Sequence, residues 1–297
     1  MGIYQVKLSV ASTLITMFAT HKGIFGCKRL FGVSCAPEMY QRVIQQLLEG
    51  CDGVRNIYVD IIVHGQTTDE HNRRLIKAME RIQNRSLMLN IEKCKFQMSE
   101  LKFVSHLLST REIGPTKVKV EMVTEARQPE SAAEVCSSLG LVNFCARFIP
   151  DLATVLEPLG KLTRKDAHFP WGKEQEIVFK ELEKKLPKTE TLGYFDSAAK
   201  NRLITDTSPV GLGVIVIQEQ NGDERVICYA CWSLTDVEKC YSQTKKEALG
   251  ITRTCKRLPM YLYGTDFGIL TDHKPLEFIY LKKLHPSARV NCWVLTL

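Results

Sequence analysis

Arg202-Leu203-Ile204-Thr205-Asp206 runs into a Ser208-Pro209 turn and resumes as Gly211-Leu212-Gly213-Val214-Ile215-Val216-Ile217-Gln218. Two apolar, β-branched runs of strand length joined by turn residues read as neighbouring strands. Further along, Val226–Ala230 reads as a third strand and Tyr241–Leu258 as a helix, with Ala248, Ile251, Cys255 and Leu258 at intervals of three and four. Phe267–Asp272 is a fourth strand, broken by His273-Lys274-Pro275. Strands, helix and strand together define an α+β or α/β module.

Toward the N-terminus the pattern changes. From Gly114-Pro115 to about Pro187 it is helical: Val118, Met122 and Ala126 fit a short helix, and Val135, Leu139, Val142, Ala146 and Ile149 fit a longer one ended by Pro150. Glu174–Leu186 is amphipathic, with Phe179, Leu182 and Leu186 inward. The first segment, to about residue 112, mixes both periods. Ser34–Leu48 carries Pro37, then Met39, Val43, Ile44 and Leu47 at helical spacing; Asn56–Gly65 is a strand or hairpin. Thr67-x-x-Glu70 is a capping box before the stripe Leu75, Ile76, Met79 and Ile82.

The 297 residues, 44% hydrophobic and 25% charged, suit two domains, or two and part of a third. A formal charge of +7 permits a polyanionic partner without demonstrating one. No run approaches the roughly 18 apolar residues of a membrane helix, and no basic region leads into an apolar one at Met1. A membrane protein, a disordered tail and a secreted disulfide mini-protein are thus excluded as readings. Eleven scattered cysteines read as reduced thiols of a cytoplasmic or nuclear protein. Cys228-x-x-Cys231 lies in a strand-like run and reads as core packing, since zinc needs four ligands.

Asp206 and Asp272 each close an apolar strand, and Glu247 borders the helix's apolar stripe. Carboxylates about 4 Å apart repel by about 4 kcal/mol per pair at an effective dielectric of about 20. A close trio stays ionised only around a divalent cation, and oxygen donors favour Mg²⁺ or Mn²⁺. By spacing alone, strand-end aspartates that cap turns are the commoner arrangement.

The surrounding residues shift that balance. Ile204-Thr205-Asp206-Thr207-Ser208-Pro209, Tyr241-Ser242-Gln243-Thr244-Lys245-Lys246-Glu247, Tyr261-Leu262-Tyr263-Gly264 and Thr271-Asp272-His273-Lys274-Pro275-Leu276 resemble, in order and distance, the ribonuclease H domain of gypsy-type LTR retrotransposons. Phe31-Gly32-Val33-Ser34-Cys35-Ala36-Pro37 resembles the same elements' reverse transcriptase, and so do Leu139-Gly140-Leu141-Val142-Asn143-Phe144 with Arg147-Phe148-Ile149-Pro150, Glu157-Pro158-Leu159 and Trp171.

The resemblance implies a multidomain fold: a partial reverse transcriptase palm over 1–112, a mostly helical thumb and connection over 113–190, and a C-terminally truncated ribonuclease H-like mixed sheet with helices over 191–297. It implies RNA-directed DNA polymerase and ribonuclease H ancestry, with an RNA–DNA hybrid or template–primer duplex as partner and no membrane. Asp206, Glu247 and Asp272 match three metal ligands, and a fourth carboxylate is expected after the region like Arg289-Val290-Asn291-Cys292-Trp293. Lys117, Lys119, Lys161, Arg164 and Lys165 are candidates for duplex phosphates, with solvated helix faces as the alternative for each.

The chain also departs from the family. Y-x-D-D reads Tyr58-Val59-Asp60-Ile61, so Asp60 keeps the first metal position and isoleucine takes the second. The family's other palm aspartate lies before the stretch matching Gly2-Ile3-Tyr4-Gln5-Val6. One carboxylate is left where polymerisation uses a two-metal clamp, so the expectation is a chain that does not extend a primer. Leu30-Phe31-Gly32 lacks a proline, and Ser105 replaces the glycine of the primer-contacting hairpin. If that position has φ > 0, serine costs about 1 kcal/mol. Lys245 and Cys292 stand where Glu and Arg are common. Three readings remain at this stage: a metal-dependent nuclease, a catalytically dead nucleic-acid-binding relic, and a poorly folded, pseudogene-like product.

Overall fold

The computed structural model describes residues 5–29, 34–163 and 169–281, together with Val290 and Cys292. Arg164, Lys165, Leu30-Phe31-Gly32 and the region after Leu281, apart from those two residues, lie outside them. The chain divides into two compact units, residues 1–98 and 99–297.

In the first unit, α1 (Val10–Ile15) precedes the hairpin β1 (Met17–Thr20) and β2 (Gly23–Gly26). Next come α2 (Ala36–Leu48), the hairpin β3 (Val54–Ile57) and β4 (Asp60–Val63), and α3 (Thr68–Asn84). Pro37 opens α2 as expected, because a proline there costs no helical bond. Thr67 Oγ1 accepts the Glu70 N–H at 3.2 Å, the cap half of the predicted box, while the Glu70 carboxylate reaches the Gln66 N–H at 2.7 Å, one residue before the cap. The core joins Tyr40, Ile44, Leu47, Leu48, Val54, Ala78 and Ile82. Met39, Ile76 and Met79, assigned to apolar stripes in the sequence, are exposed instead. The buried face is turned so that Tyr40 and Ala78 take the inward positions.

The second unit begins with β5 (Leu101–Phe103), β6 (His106–Leu108) and β7 (Glu112–Pro115). The helices α4 (Lys117–Thr124), α5 (Ala132–Phe144), α6 (Leu152–Lys161) and α7 (Lys173–Lys185) follow, and β8 (Leu192–Gly193) returns to pair with β7. Gly114-Pro115 is therefore strand rather than the start of a helical stretch. The long helix expected through Ile149 stops at Phe144 and tightens into a 3-10 turn, Ala146–Phe148. Ile149 is extended (φ −125°, ψ 118°), as a residue before proline prefers. The four helices share a core of Val123, Val135, Val142, Leu152, Leu156, Leu159, Val178 and Leu182. Val118 and Met122 are exposed, and Val123 takes the inward position on α4.

The C-terminal sheet contains β9 (Asn201–Thr207), β10 (Gly211–Gln220) and β11 (Asp223–Ser233), with β10 antiparallel to both β9 and β11. It is followed by α8 (Asp236–Lys239), α9 (Gln243–Arg257), α10 (Pro259–Leu262), β12 (Phe267–Leu270) and α11 (Lys274–Tyr280). β12 runs parallel to β9, giving the strand order β11-β10-β9-β12. All four strands and the helix between the third and fourth stand where the sequence put them. One face packs Leu203, Val214, Val216 and Cys228 against the α9–α10 side, and the other packs Ile215 and Tyr229 around Phe148. Cys228 and Cys231 are three residues apart on one strand, so they point to opposite faces. Cys228 joins the α9-side core, whereas Cys231 packs against the α4–α7 helices and accepts the Ala153 N–H at 3.1 Å.

Candidate functional site

Along β9 the odd residues Asn201, Leu203, Thr205 and Thr207 are buried, and Asp206 on the other face is exposed. The parallel register sets Leu270 opposite Ile204, so Asp272 and Asp206, each two residues further on, leave the sheet at the same end. Neighbouring strands lie about 4.8 Å apart, which makes this end a natural meeting point for two acids.

Glu247 reaches it from the helix. It sits in the second turn of α9 and is 1% exposed rather than on the border of the stripe. α9 is buried along its middle because the sheet covers one side while Leu276 and Ile279 of α11 pack beside Ala248 and Ile251. Glu247 Oε1 accepts hydrogen bonds from Thr207 Oγ1 and from Gln243 Nε2, the latter at 2.8 Å. Gln243 Nε2 also donates to Thr207 Oγ1 at 2.7 Å. Glu247 Oε2 is buried with no hydrogen-bond partner, as is Thr205 Oγ1 on the same face of β9.

Burial holds the Glu247 carboxyl above its ordinary pKa. The hydrogen bonds from Thr207 and Gln243 oppose the shift, and the charges of Asp272 and Asp206 add to it. A second tie fixes the other loop: Thr244 Oγ1 and His273 Nε2 are 2.8 Å apart, and the His273 N–H donates to Thr271 Oγ1. The first turn of α9 is thereby fastened to both segments that carry the aspartates.

The three acids expected from the sequence thus gather at one end of the sheet and act on one another electrostatically. Among the described residues, however, no group of three His, Cys, Asp or Glu side chains is close enough to hold a metal ion. Asp206 projects from one face of β9, while Glu247 is bonded on the face that carries Thr207. The donor set nonetheless fits a hard divalent cation: it is all carboxylate oxygen, with an unpaired buried oxygen and mutual repulsion that a cation would relieve. The sequence reading missed Thr207, Gln243 and the Thr244–His273 tie. Gln243 was visible as the i−4 neighbour of Glu247, whereas Thr207 needed knowledge of which face the helix covers.

The hairpin carrying Asp60 differs. Tyr58 occupies the left-handed region (φ 49°), which a bulky residue adopts only when its surroundings hold it there. Gln41 of α2 does so. Its Oε1 accepts from the Tyr58 N–H and from Asn56 Nδ2, and its Nε2 donates to the Asn56 carbonyl at 3.2 Å. Asp60 is exposed, and Ile61 is half-buried against the core of the first unit with Val63 and Leu87. Isoleucine has no lone pair for a cation, so the position serves packing.

Of the basic candidates, Lys117 is exposed at the start of α4, and Lys119 lies over the Phe144 ring, 5.3 Å from its centroid. Lys161 is paired with Glu157 at 2.8 Å at the end of α6. Arg164 and Lys165 lie outside the described residues.

The site therefore lies where the parallel strands β9 and β12 end side by side in a sheet ordered β11-β10-β9-β12, with α9 packed against one face. Residues 196–297 match the RNase H-like domain found in reverse transcriptase. Over 291 residues, 93% of the chain, it is 29% identical to the Transposon Tf2-3 and Tf2-4 polyproteins of Schizosaccharomyces pombe. The chain spans 22% of the length of those relatives. Its fold matches a foamy viral protease-reverse transcriptase solved with double-stranded DNA (TM-score 0.87, 19% identity, 99% of this chain and 53% of that one). It also matches the foamy viral protease-reverse transcriptase solved with an RNA/DNA hybrid (TM-score 0.81, 19% identity, 99% of this chain and 41% of that one). The resemblance read from the sequence, to a retrotransposon polyprotein region with reverse transcriptase and RNase H-like parts, therefore holds. No described helix is long and apolar enough to cross a membrane.

Proposed function

We propose that the chain is part of a gypsy-type Pol polyprotein whose RNase H-like module cleaves the RNA strand of RNA–DNA hybrids. Residues 1–112 then correspond to palm, 113–190 to thumb and connection, and 191–297 to the nuclease module. The observation that carries the reading is that Asp206 and Asp272 leave the sheet at one end within electrostatic reach of Glu247, whose second carboxylate oxygen is buried and unpaired.

In this reading Asp206 and Asp272 would hold the ion, Mg²⁺ or Mn²⁺, and Glu247 would orient the attacking water. When bound, a divalent ion would supply water activation and stabilisation of the charge that builds on the phosphate. Asp206, exposed at the strand end, would present the ion to solvent and to an incoming phosphate. The relatives' complexes with double-stranded DNA and RNA/DNA hybrid support a duplex partner, as does the +7 charge. On the described residues, Lys117 and Lys119 are the lysines assigned to phosphate contact, and Lys161 joins them once released from Glu157. Polymerisation is not assigned, because Ile61 packs into the core beside a single acid, Asp60.

The test is cleavage of a labelled RNA–DNA hybrid by the purified chain with Mg²⁺ or Mn²⁺. Product is expected, and Asp206→Asn is expected to lower its rate by at least 100-fold. Product that survives Asp206→Asn overturns the assignment. The separation of Glu247 from the Asp206 face favours a second reading, a nucleic-acid binder without chemistry. It predicts hybrid binding that weakens steeply with salt and no metal-dependent product.

A further inference from the structure

The closed triangle around Glu247 Oε1 has no counterpart at the other two acids. No hydrogen bond reaches the side chain of Asp206 or Asp272 among the described residues. Glu247 Oε1 receives two donors, and those donors are bonded to each other. Side chains on a helix lean toward its N-terminus, which directs Glu247 at Gln243, one turn earlier. Strand alternation puts Thr207 on the helix-covered face, so the hydroxyl that completes the triangle draws the carboxylate away from the face where Asp206 emerges. The other carboxylate oxygen is left buried and unpaired, an arrangement that costs the fold free energy and serves no bond within it.

We infer that Thr207 and Gln243 are positioning residues that latch Glu247 apart from Asp206 and Asp272, so that loading a divalent cation requires their release. The inference rests on the reading of those three acids as metal ligands. In the latched state two ligands face the cation and the third is engaged elsewhere. The observed affinity is then the intrinsic affinity reduced by the fraction of molecules with Glu247 free. Hydrogen bonds to a charged group are strong enough to make that fraction about one in ten.

Mn²⁺ titration of the full chain by calorimetry tests this without any turnover. Thr207→Ala is expected to bind Mn²⁺ about tenfold more tightly than the parent, and Thr207→Ser, which keeps the hydroxyl, is expected to match the parent. The gain is expected to vanish when Thr207→Ala is combined with Glu247→Gln. A Thr207→Ala affinity equal to or weaker than the parent's overturns the latch, as does a gain that persists with Glu247→Gln. Asp206→Asn separates the two layers. If it abolishes binding while Thr207→Ala changes nothing, the ligand assignment stands and the latch falls. If neither the parent nor Thr207→Ala binds Mn²⁺, the ligand assignment falls and takes the latch with it. Should Thr207→Ala fail to fold by circular dichroism, Gln243→Leu, at an exposed position in the first turn of α9, carries the same expectation.

Discussion

Asp60 and Glu247 are both acids of the motifs that tie this chain to retroelement enzymes, and their surroundings are opposite. Asp60 stands exposed on a hairpin whose next residue, Ile61, turns into the core of the first unit. Glu247 is 1% exposed, bonded at one oxygen and unpaired at the other, with Asp206 and Asp272 near enough to raise its pKa further. A site whose acid is exposed can commit the next position to packing. One that still keeps a buried carboxylate beside two others carries a cost that packing does not repay. The contrast separates an exposed acid next to a packed isoleucine from a buried, half-bonded one, and each side of it can be tested by substitution.

The largest expected effect is on the first side. Ile61→Asp rebuilds the motif's second acid at the expense of apolar contact and places a carboxylate against the core of the first unit. It is expected to destabilise the first unit by about 2 kcal/mol, from lost apolar burial and partial desolvation of the charge. Ile61→Val is expected to cost only about 0.5–1.5 kcal/mol. Hydrogen exchange of the α2 amides under increasing urea reads both. An Ile61→Asp chain as stable as the parent would mean that the position is not committed to packing, and the contrast with Glu247 would break.

The second side responds to pH. Burial, reinforced by the two aspartates, holds the Glu247 pKa above the unfolded chain's value of 4.5. The folded state therefore binds its proton more tightly than the unfolded state does. Any stability from this group is fully present below about pH 4.5, falls as pH rises toward the folded-state pKa, and stays lost at neutral pH. Glu247→Gln cannot ionise and keeps an acceptor for Thr207 Oγ1. In the absence of divalent ions it is expected to raise the urea midpoint of the second unit at pH 7 and to match the parent near pH 4. Because residues 1–98 contain no tryptophan while Trp171 and Trp232 lie in the second unit, tryptophan fluorescence reports that unit selectively. Parent and variant with equal midpoints at both pH values would show that Glu247 is not held at a cost.

The sequence went furthest where periodicity and motif agreed. β9, β10, β11 and β12 and the helix between the last two were legible from alternating or continuous β-branched runs and from a clean three-and-four stripe, and so were the three acids at their ends. What it could not supply was orientation. Nothing in the linear spacing of Asp206 and Glu247 says that Thr207, one residue on, faces the helix and bonds the glutamate. Helices were legible as elements but not always by inward face, since Ile76 and Val118 read as apolar stripe yet lie in water. The segment around Pro150 was misread because helix-spaced apolar residues continue through Ile149 even though the backbone has already tightened into a 3-10 turn. Short strands such as β7 and β8 carry too few residues for a period and become visible only through their partner.

The smallest expected effect concerns the hairpin turns, where the two units again differ. The turn before Asp60 keeps Tyr58 in the left-handed region with the help of Gln41. The turn between β5 and β6 places Val104 (φ 48°) and Ser105 (φ 62°) there together, and no side-chain hydrogen bond among the described residues supports it. The serine in the glycine position therefore does sit at positive φ. A two-residue hairpin turn with both residues at positive φ is the one that Asn-Gly adopts without strain. Each L-residue forced into that region costs about 1–2 kcal/mol, most for a β-branched side chain such as Val104. Part of that relief is offset because glycine raises the entropy of the unfolded chain. Replacing Val104 by Asn and Ser105 by Gly is therefore expected to stabilise the second unit by about 1 kcal/mol net, seen as a higher urea midpoint by tryptophan fluorescence. A midpoint that falls instead would show that Val104 and Ser105 make contacts worth more than the strain they carry. The strained turn in this unit would then resemble the one that Gln41 secures in the other.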